Sequence, residues 1–255
     1  MSTHRDRQIL LVDKALALYR QGWFPMFDDE RRVLEWVQPH ERGLLPLDER
    51  FRVTRSLRQR VRSAKFVVTC DRAFGRVIRE CGVPAPGRER TWLCPEIIEL
   101  FEALHAAGYA HSIEAWVEEP SVRHPSLGVR DEPSSQQRTP NTERRMPLPA
   151  VGGTLVGGLY GLVLGGAFCG ESMFSRPDLG GTDASKVCLV HLVEHLRAIG
   201  CVLLDAQLAN DHLEQFGLFE VPMEEYLQRL ADSARRPVAW GVFDPARAVK
   251  PGGNA

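Results

Sequence analysis

The 255-residue chain reads as an α+β protein, a mixed β-sheet flanked by helices, and three stretches carry that reading. Leu155–Leu164 and Ala167–Gly170 are two apolar runs parted by Gly165-Gly166, the pattern of a buried hairpin. Ala184–Ile199 then sets Val187, Val190, Val193 and Leu196 on a helical pattern, and Gly200 fits the position just past its end. Val202–Leu204 follows as a strand that ends at Asp205-Ala206-Gln207. Hairpin, helix and strand in that order gather polar groups at strand ends, where α/β folds place their ligands.

The rest of the chain, taken in order, supplies more of the same elements. Asp13 can cap a helix holding Ala15, Leu16, Leu18 and Tyr19, with Gly22 as its stop. Trp23–Phe27 is an aromatic turn around Pro25, and Val33–Val37 and Arg42–Leu47 read as short strands. Arg55–Lys65 has five cations and no acid: Arg55, Arg58, Arg62 and Lys65 recur on one helical face, and Leu57, Val61 and Ala64 on the other. Phe66–Cys70 is a strand, and Asp71 is placed to cap a helix over Arg72–Glu80. Gly82–Arg90 is a Pro/Gly/Arg loop leading to Trp92. Pro95 suits the first turn of a helix over Glu96–Ala107, with Ile97, Leu100, Phe101 and Leu104 as its apolar face. Ala110–Val117 is the next strand. Glu119–Gly153 has six prolines and no sustained period, so it reads as a disordered or mobile insert at a hairpin tip. Leu208–Gly217 reads as a loop and Met223–Ala231 as a helix started by Pro222, while the tail beyond Pro237 carries little signal. The expected division is a small N-terminal α/β lobe over 13–90, bearing the basic helix, and a catalytic domain over 91–240 that contains the insert.

Composition narrows the function classes. The net charge is −1, so any surface for nucleic acid must be local. The six cysteines, from Cys70 to Cys201, form no CxxC pair and no cluster with histidine, which suits free thiols in a reducing cytoplasm. His191 and His195 stand four apart on one helix with no third ligand in view, so no metal site is expected. Residues 1–12 lack the apolar core of a signal peptide. No apolar run reaches the ~18 residues a membrane-spanning helix needs, so no membrane partner is expected.

Three polar residues at strand ends could carry chemistry. Asp205 and Gln207 stand two apart on a strand, so both point to one face. A carboxylate and an amide placed that way can orient an amine and hold its proton; the bland alternative for Asp205 is a turn residue after a strand. Glu171 is a second strand-end carboxylate. Strand parity puts Glu171 and Phe168 on opposite faces, so both can line one pocket only across a bulge.

Six runs, in order, give the chain a family resemblance: Tyr19–Pro25, Arg90–Trp92, Ala110–Glu114, Gly170–Ser175, Ala184–Lys186 and Asp205–Gln207. Together they resemble the leucyl/phenylalanyl-tRNA–protein transferases, from about Asp13 to Tyr226 and interrupted by the insert. The resemblance implies an acyltransferase core like that of acetyl-CoA-dependent N-acetyltransferases (GNAT-like). It implies transfer of Leu or Phe from aminoacyl-tRNA to the N-terminal α-amine of proteins beginning with Arg or Lys, in N-end rule degradation. The ester is already activated, so no cofactor is implied. In such a site Asp205 and Gln207 would act on the amine, while Glu171 and Ser172 lie in the aminoacyl site. Trp36 would meet the terminal adenosine of the tRNA, and Trp92 and Phe101, the latter commonly tyrosine in the family, would be further substrate-binding residues. Leu159, Phe168, Leu192 and Leu196 would form the apolar pocket, although each also reads as plain core. Arg55, Arg58, Arg62 and Lys65 would bind tRNA, or else form a solvated face. A monomer in the cytoplasm is expected.

Two rivals were open on the sequence. A CoA-dependent N-acyltransferase of the same fold should show Arg/Gln-x-x-Gly-x-Gly/Ala at a helix start, and no such run occurs. A non-catalytic RNA-binding module resting on Arg55–Lys65 leaves Asp205, Gln207 and Glu171 without a role.

Overall fold

The computed structural model describes residues 4–84, 91–118 and 153–249. At its centre is the expected hairpin of β6 (Gly153–Leu164) and β7 (Ala167–Ser175). The chain turns at Gly165-Gly166, where Gly165 takes φ 57°, a left-handed value that favours glycine. β6 is buried along nearly its whole length because elements cover it on both faces. β5 (Ala110–Glu118) pairs with β6, and β4 (Val67–Cys70) with β5, both antiparallel.

On the other side of β7 lies β8 (Leu203–Gln207), in parallel. A parallel neighbour needs a crossover, and α5 (Ala184–Ile199) supplies it. Gly157 lets α5 approach: a β-carbon there would stand 2.4 Å from Cβ of Ala184. β3 (Glu41–Leu45) and β9 (Phe219–Pro222) complete a seven-stranded mixed sheet in the order β4-β5-β6-β7-β8-β3-β9. The sheet with helices on both faces is the expected α+β architecture. β3 and β4 both come from the 13–90 stretch, so the sheet runs across residue 90. β1 (Phe24–Asp28) and β2 (Val33–Val37) form a separate two-stranded ribbon, and the aromatic turn expected at 23–27 is the first of these strands.

Each face of the sheet carries a core. One is built with α1 (His4–Tyr19), α3 (Phe74–Cys81), α4 (Pro95–Ala106) and α7 (Met223–Ala234). The other lies under α5 and α2 (Arg55–Arg62). Fully buried residues such as Val77, Ile97 and Leu104 each contribute about 1.5–3 kcal/mol. The tail, read as low in signal, belongs to the second core: Trp240 and Phe243 pack there, and Trp240 stacks on His111 at 4.1 Å.

Two expected caps work differently. α1 runs back to His4, so Asp13 lies inside it. Asp71 takes φ 57° and turns its carboxylate to Ser112 N at 2.9 Å and to the His111 ring at 2.7 Å. Glu114 of β5 instead accepts from Arg72 N and Ala73 N, just before α3 begins. Asp183 also is left-handed, at φ 66°, and makes no side-chain cap; Ser175 Oγ accepts from Ser185 N at 2.9 Å. α2 is capped by Thr54 and ends at Arg62, so Ala64 and Lys65 lie beyond it. The stretch expected as a loop at 208–217 contains the single helical turn α6 (Asp211–Glu214). Of the insert expected over 119–153, residues 119–152 lie outside the described residues, as do 85–90 of the expected loop; Gly153 instead opens β6 and pairs with Glu118 of β5.

Candidate active site

β7 and β8 run side by side only from Ala167/Leu203 to Cys169/Asp205. Beyond that point the strands part, and a cavity of about 320 Å³ lies in the split. A split at the end of a parallel pair is a natural ligand site, because strand-end groups converge on it. Leu159, Phe168 and Leu192 line the apolar side, joined by Met173, Leu189 and Leu204. Ser172, Glu171 and Asp205 stand at the polar side, and Trp92 also lines the cavity. The bulge required by strand parity is present: Tyr160 faces Ser172 and Gly161 faces Gly170, which leaves Glu171 as the extra residue. Glu171 and Phe168 thereby reach one cavity.

Glu171 is the unusual group. Tyr19 donates its hydroxyl to Oε1 at 2.9 Å, while Oε2 is buried without a partner. Burial pushes its pKa up from 4.5 to about 7, against the opposing pull of Gln207 and Tyr19. Gln207 faces it without closing the contact, since its Nε2 is also buried and unpartnered. Gln207 ends β8 at φ 64°, a left-handed value held by its own N–H to Asp205 Oδ1 at 2.8 Å. The hydroxyl of Tyr160, also on the cavity wall, has no partner either.

Asp205, by contrast, is fully engaged. Oδ1 accepts from Arg42 Nε at 2.9 Å and from Gln207 N. Oδ2 accepts from Arg42 Nη2 and from the Tyr226 hydroxyl, each at 2.7 Å. Arg42 and Asp205 are both fully buried, a bidentate ion pair of the kind that holds geometry firmly. The guanidinium is also sandwiched between the rings of Phe24 and Tyr226, 4.6 Å from each, and Nη1 donates to Gly22 O. Arg42 and Tyr226 were not picked out on the sequence. Arg42 had a signal: it shares a strand face with Leu44, and an inward arginine needs a buried acid.

Besides Gln207, which faces Glu171 but does not line the cavity, three expected site residues stand back from it. Trp36 is half-buried on β2, edge-on to Tyr19 at 5.9 Å. Phe101 is buried between Tyr19 and Tyr160, edge-on to both. Leu196 is fully buried core on α5. Arg55, Arg58, Arg62 and Lys65 are exposed, and among the described residues none has a carboxylate within ion-pair distance. Among the described residues His191 and His195 belong to no group of three possible metal ligands, whereas Asp71, His105 and His111 offer ligand atoms within 4.8 Å of one another. His111 Nδ1 is already engaged by Asp71 and His105 Nδ1 by Ala110 O, each at 2.7 Å, while His111 Nε2 is buried without a partner. Among the described residues no helix is long and apolar enough to cross a membrane.

A carboxyl group poised near neutrality over an apolar slot suits an enzyme that moves an acyl group onto an amine. Comparison with known proteins places the chain among such enzymes. A family profile described as leucyl/phenylalanyl-tRNA protein transferase matches residues 44–123 and 150–231, and that of its N-terminal domain matches 9–40. The leucyl/phenylalanyl-tRNA–protein transferase of Paramagnetospirillum magneticum is 44% identical over 91% of this chain and 92% of its own length. The one from Pelodictyon phaeoclathratiforme is 37% identical over 91% of this chain and 100% of its own length, and the one from Salinibacter ruber 42% over 94% and 87%. Among solved structures, the crystal structure of FemX matches with TM-score 0.45 and 11% identity, over 79% of this chain and 63% of that one. The chain belongs to the leucyl/phenylalanyl-tRNA–protein transferase family, a family of aminoacyltransferases.

Proposed function

We propose that this protein transfers a leucyl or phenylalanyl group from aminoacyl-tRNA to the N-terminal α-amine of proteins beginning with Arg or Lys. It would act as a cytoplasmic monomer without a cofactor and mark those proteins for N-end rule degradation. Membership of the family supports the reaction class. The observation that carries the mechanism is Glu171, with one buried, unpartnered carboxylate oxygen in a cavity whose far wall is apolar.

The donor's side chain fills the slot between Leu159, Phe168 and Leu192, with its terminal adenosine toward Trp92. The acceptor's amine attacks the ester carbonyl. A C–N bond forms, the C–O bond to the ribose breaks, and the amine's proton must reach the ribose oxygen. Glu171 is the carrier of that proton. Its pKa of about 7 lies close to the roughly 8 of an α-ammonium, so the proton can pass to it and on to the leaving oxygen. Asp205 orients rather than deprotonates, because Arg42, Tyr226 and Gln207 N already occupy both of its oxygens. Holding donor and acceptor together supplies most of the acceleration, up to ~7–11 kcal/mol. Arg55, Arg58, Arg62 and Lys65 take phosphates of the donor tRNA.

The test uses Leu-charged or Phe-charged tRNA and peptides starting with Arg or Glu, with and without acetyl-CoA. Transfer to the Arg peptide that ignores acetyl-CoA is the expected result; equal transfer to the Glu peptide would remove the acceptor specificity. Glu171→Gln should lower kcat by roughly 10²–10⁴ with the acceptor KM little changed. A folded Glu171→Gln variant at full rate would take Glu171 out of proton transfer.

A further inference from the structure

Asp183, the left-handed residue that precedes α5, stands between two cations. Arg60 Nε of α2 lies 4.0 Å from its carboxylate and Lys186 Nζ of α5 lies 3.6 Å away. Both cations keep contact with solvent, at 36% and 25% side-chain exposure, so an incoming anion can reach them. One carboxylate balances only one of the two charges. Lys186 also acts toward the cavity: after partial burial, it is the next cause that holds the His212 ring toward its neutral form, and His212 lines the cavity. α2 packs on α5. Arg60 of α2 and Lys186 of α5 therefore meet at Asp183, and the charge of Lys186 is felt by His212 on the cavity wall.

We propose that Arg60 and Lys186 bind the phosphodiester groups nearest the 3′ end of the donor RNA. The α2 stripe would hold phosphates further back, and the cavity would hold the aminoacyl end. This rests on the transfer reading above and adds a phosphate site to it. The chemistry suits the partner: a guanidinium and an ammonium side by side give a planar fork and a point charge for one anionic backbone. Asp183 holds the pair in place when no phosphate is bound. Its exposed, screened contacts are weak enough for a phosphate to displace them.

The experiment compares two donors that carry the same reactive ester. One is Leu-charged tRNA. The other is 3′-O-leucyl-adenosine, which has no phosphate. In the Arg60→Gln/Lys186→Gln variant, kcat/KM for charged tRNA should fall roughly tenfold or more. The log–log salt slope of tRNA binding should flatten by about 0.7 for each single-strand phosphate that the variant no longer neutralises. Transfer from leucyl-adenosine should be unchanged, which also shows that the variant is folded. Equal losses with both donors would make the pair structural, and no loss with either would leave Arg60 and Lys186 as solvated charges; each overturns the proposal. If the unaltered protein transfers from neither donor, the transfer reading itself has failed, a separate result.

Discussion

Arg42 and Asp205 show how much of the site depends on one buried contact. Neither touches solvent, and Asp205 accepts from Arg42, from Tyr226 and from the backbone at Gln207. Removing one partner leaves the other charge buried and unpaired. Arg42→Met should therefore cost about 3–5 kcal/mol, read by urea unfolding, and adding Asp205→Leu should recover a good part of it. If the double variant is as unstable as the sum of the two single ones, the pair is not coupled as the geometry requires. Asp205, Gln207 and Glu171 could be picked out in the sequence as polar groups at strand ends, and strand parity made a bulge the condition for Glu171 and Phe168 to share a pocket. Their partners were not. Arg42 lies 163 residues from Asp205, and Tyr226 lies on a helix 21 residues further on. No local pattern links such positions. For the same reason Asp205 looked like a candidate base: its saturation by donors exists only after folding.

Among the elements, legibility followed the strength of local signals. The β6–β7 hairpin and α5 could be read directly, because Gly-Gly breaks one apolar run and Gly200 ends another. β9 was missed because it is four residues long and ends in Pro222, so it reads as a connection until β3 offers it an edge. Trp36 was matched to the adenosine by resemblance, yet β2 sets it against Tyr19 rather than on the cavity wall. α2 kept its expected two faces: Leu57 and Val61 are buried, and the arginines of the stripe are exposed. Because the stripe lacks carboxylate partners among the described residues, reversing two of its charges breaks no ion pair there. Arg58→Glu with Arg62→Glu should leave the melting temperature nearly unchanged. It should weaken tRNA binding and flatten its salt dependence by ~0.9 for each duplex phosphate that is no longer neutralised. A filter-binding salt titration decides it; unchanged affinity and slope would make the stripe a solvated face.

At the scale of the whole molecule, the two cores set two opposite pH dependences. On one face Glu171 meets Tyr19, and burial raises its pKa from 4.5 to about 7. On the other, His191 of α5 lies near Phe243 of the tail, and burial lowers its pKa from 6.5 to about 4. A raised folded pKa gives stability that is fully present below about pH 4.5 and is lost as pH rises through about 7. A lowered histidine pKa gives stability that is present above about pH 6.5 and is lost as pH falls through about 4. Each is worth about 3 kcal/mol at about 1.4 kcal/mol per pH unit of displacement. Between pH 7 and pH 4.5 they oppose one another, with Glu114 acting in the direction of Glu171 and His195 in the direction of His191. The unaltered protein should thus lose little stability from these groups over that range. Glu171→Gln leaves the histidines opposed by Glu114 alone, so its unfolding free energy should fall by about 2–3 kcal/mol more than that of the unaltered protein between pH 7 and pH 4.5. It should also be the more stable of the two at pH 8, where the unaltered protein must ionise a buried acid. His191→Leu should tilt the curve the other way. Urea unfolding at pH 8, 7 and 4.5 measures all three; parallel curves would mean that Glu171 titrates in the fold as it does in the unfolded chain, and the near-neutral carboxyl on which proton transfer depends would be lost with it.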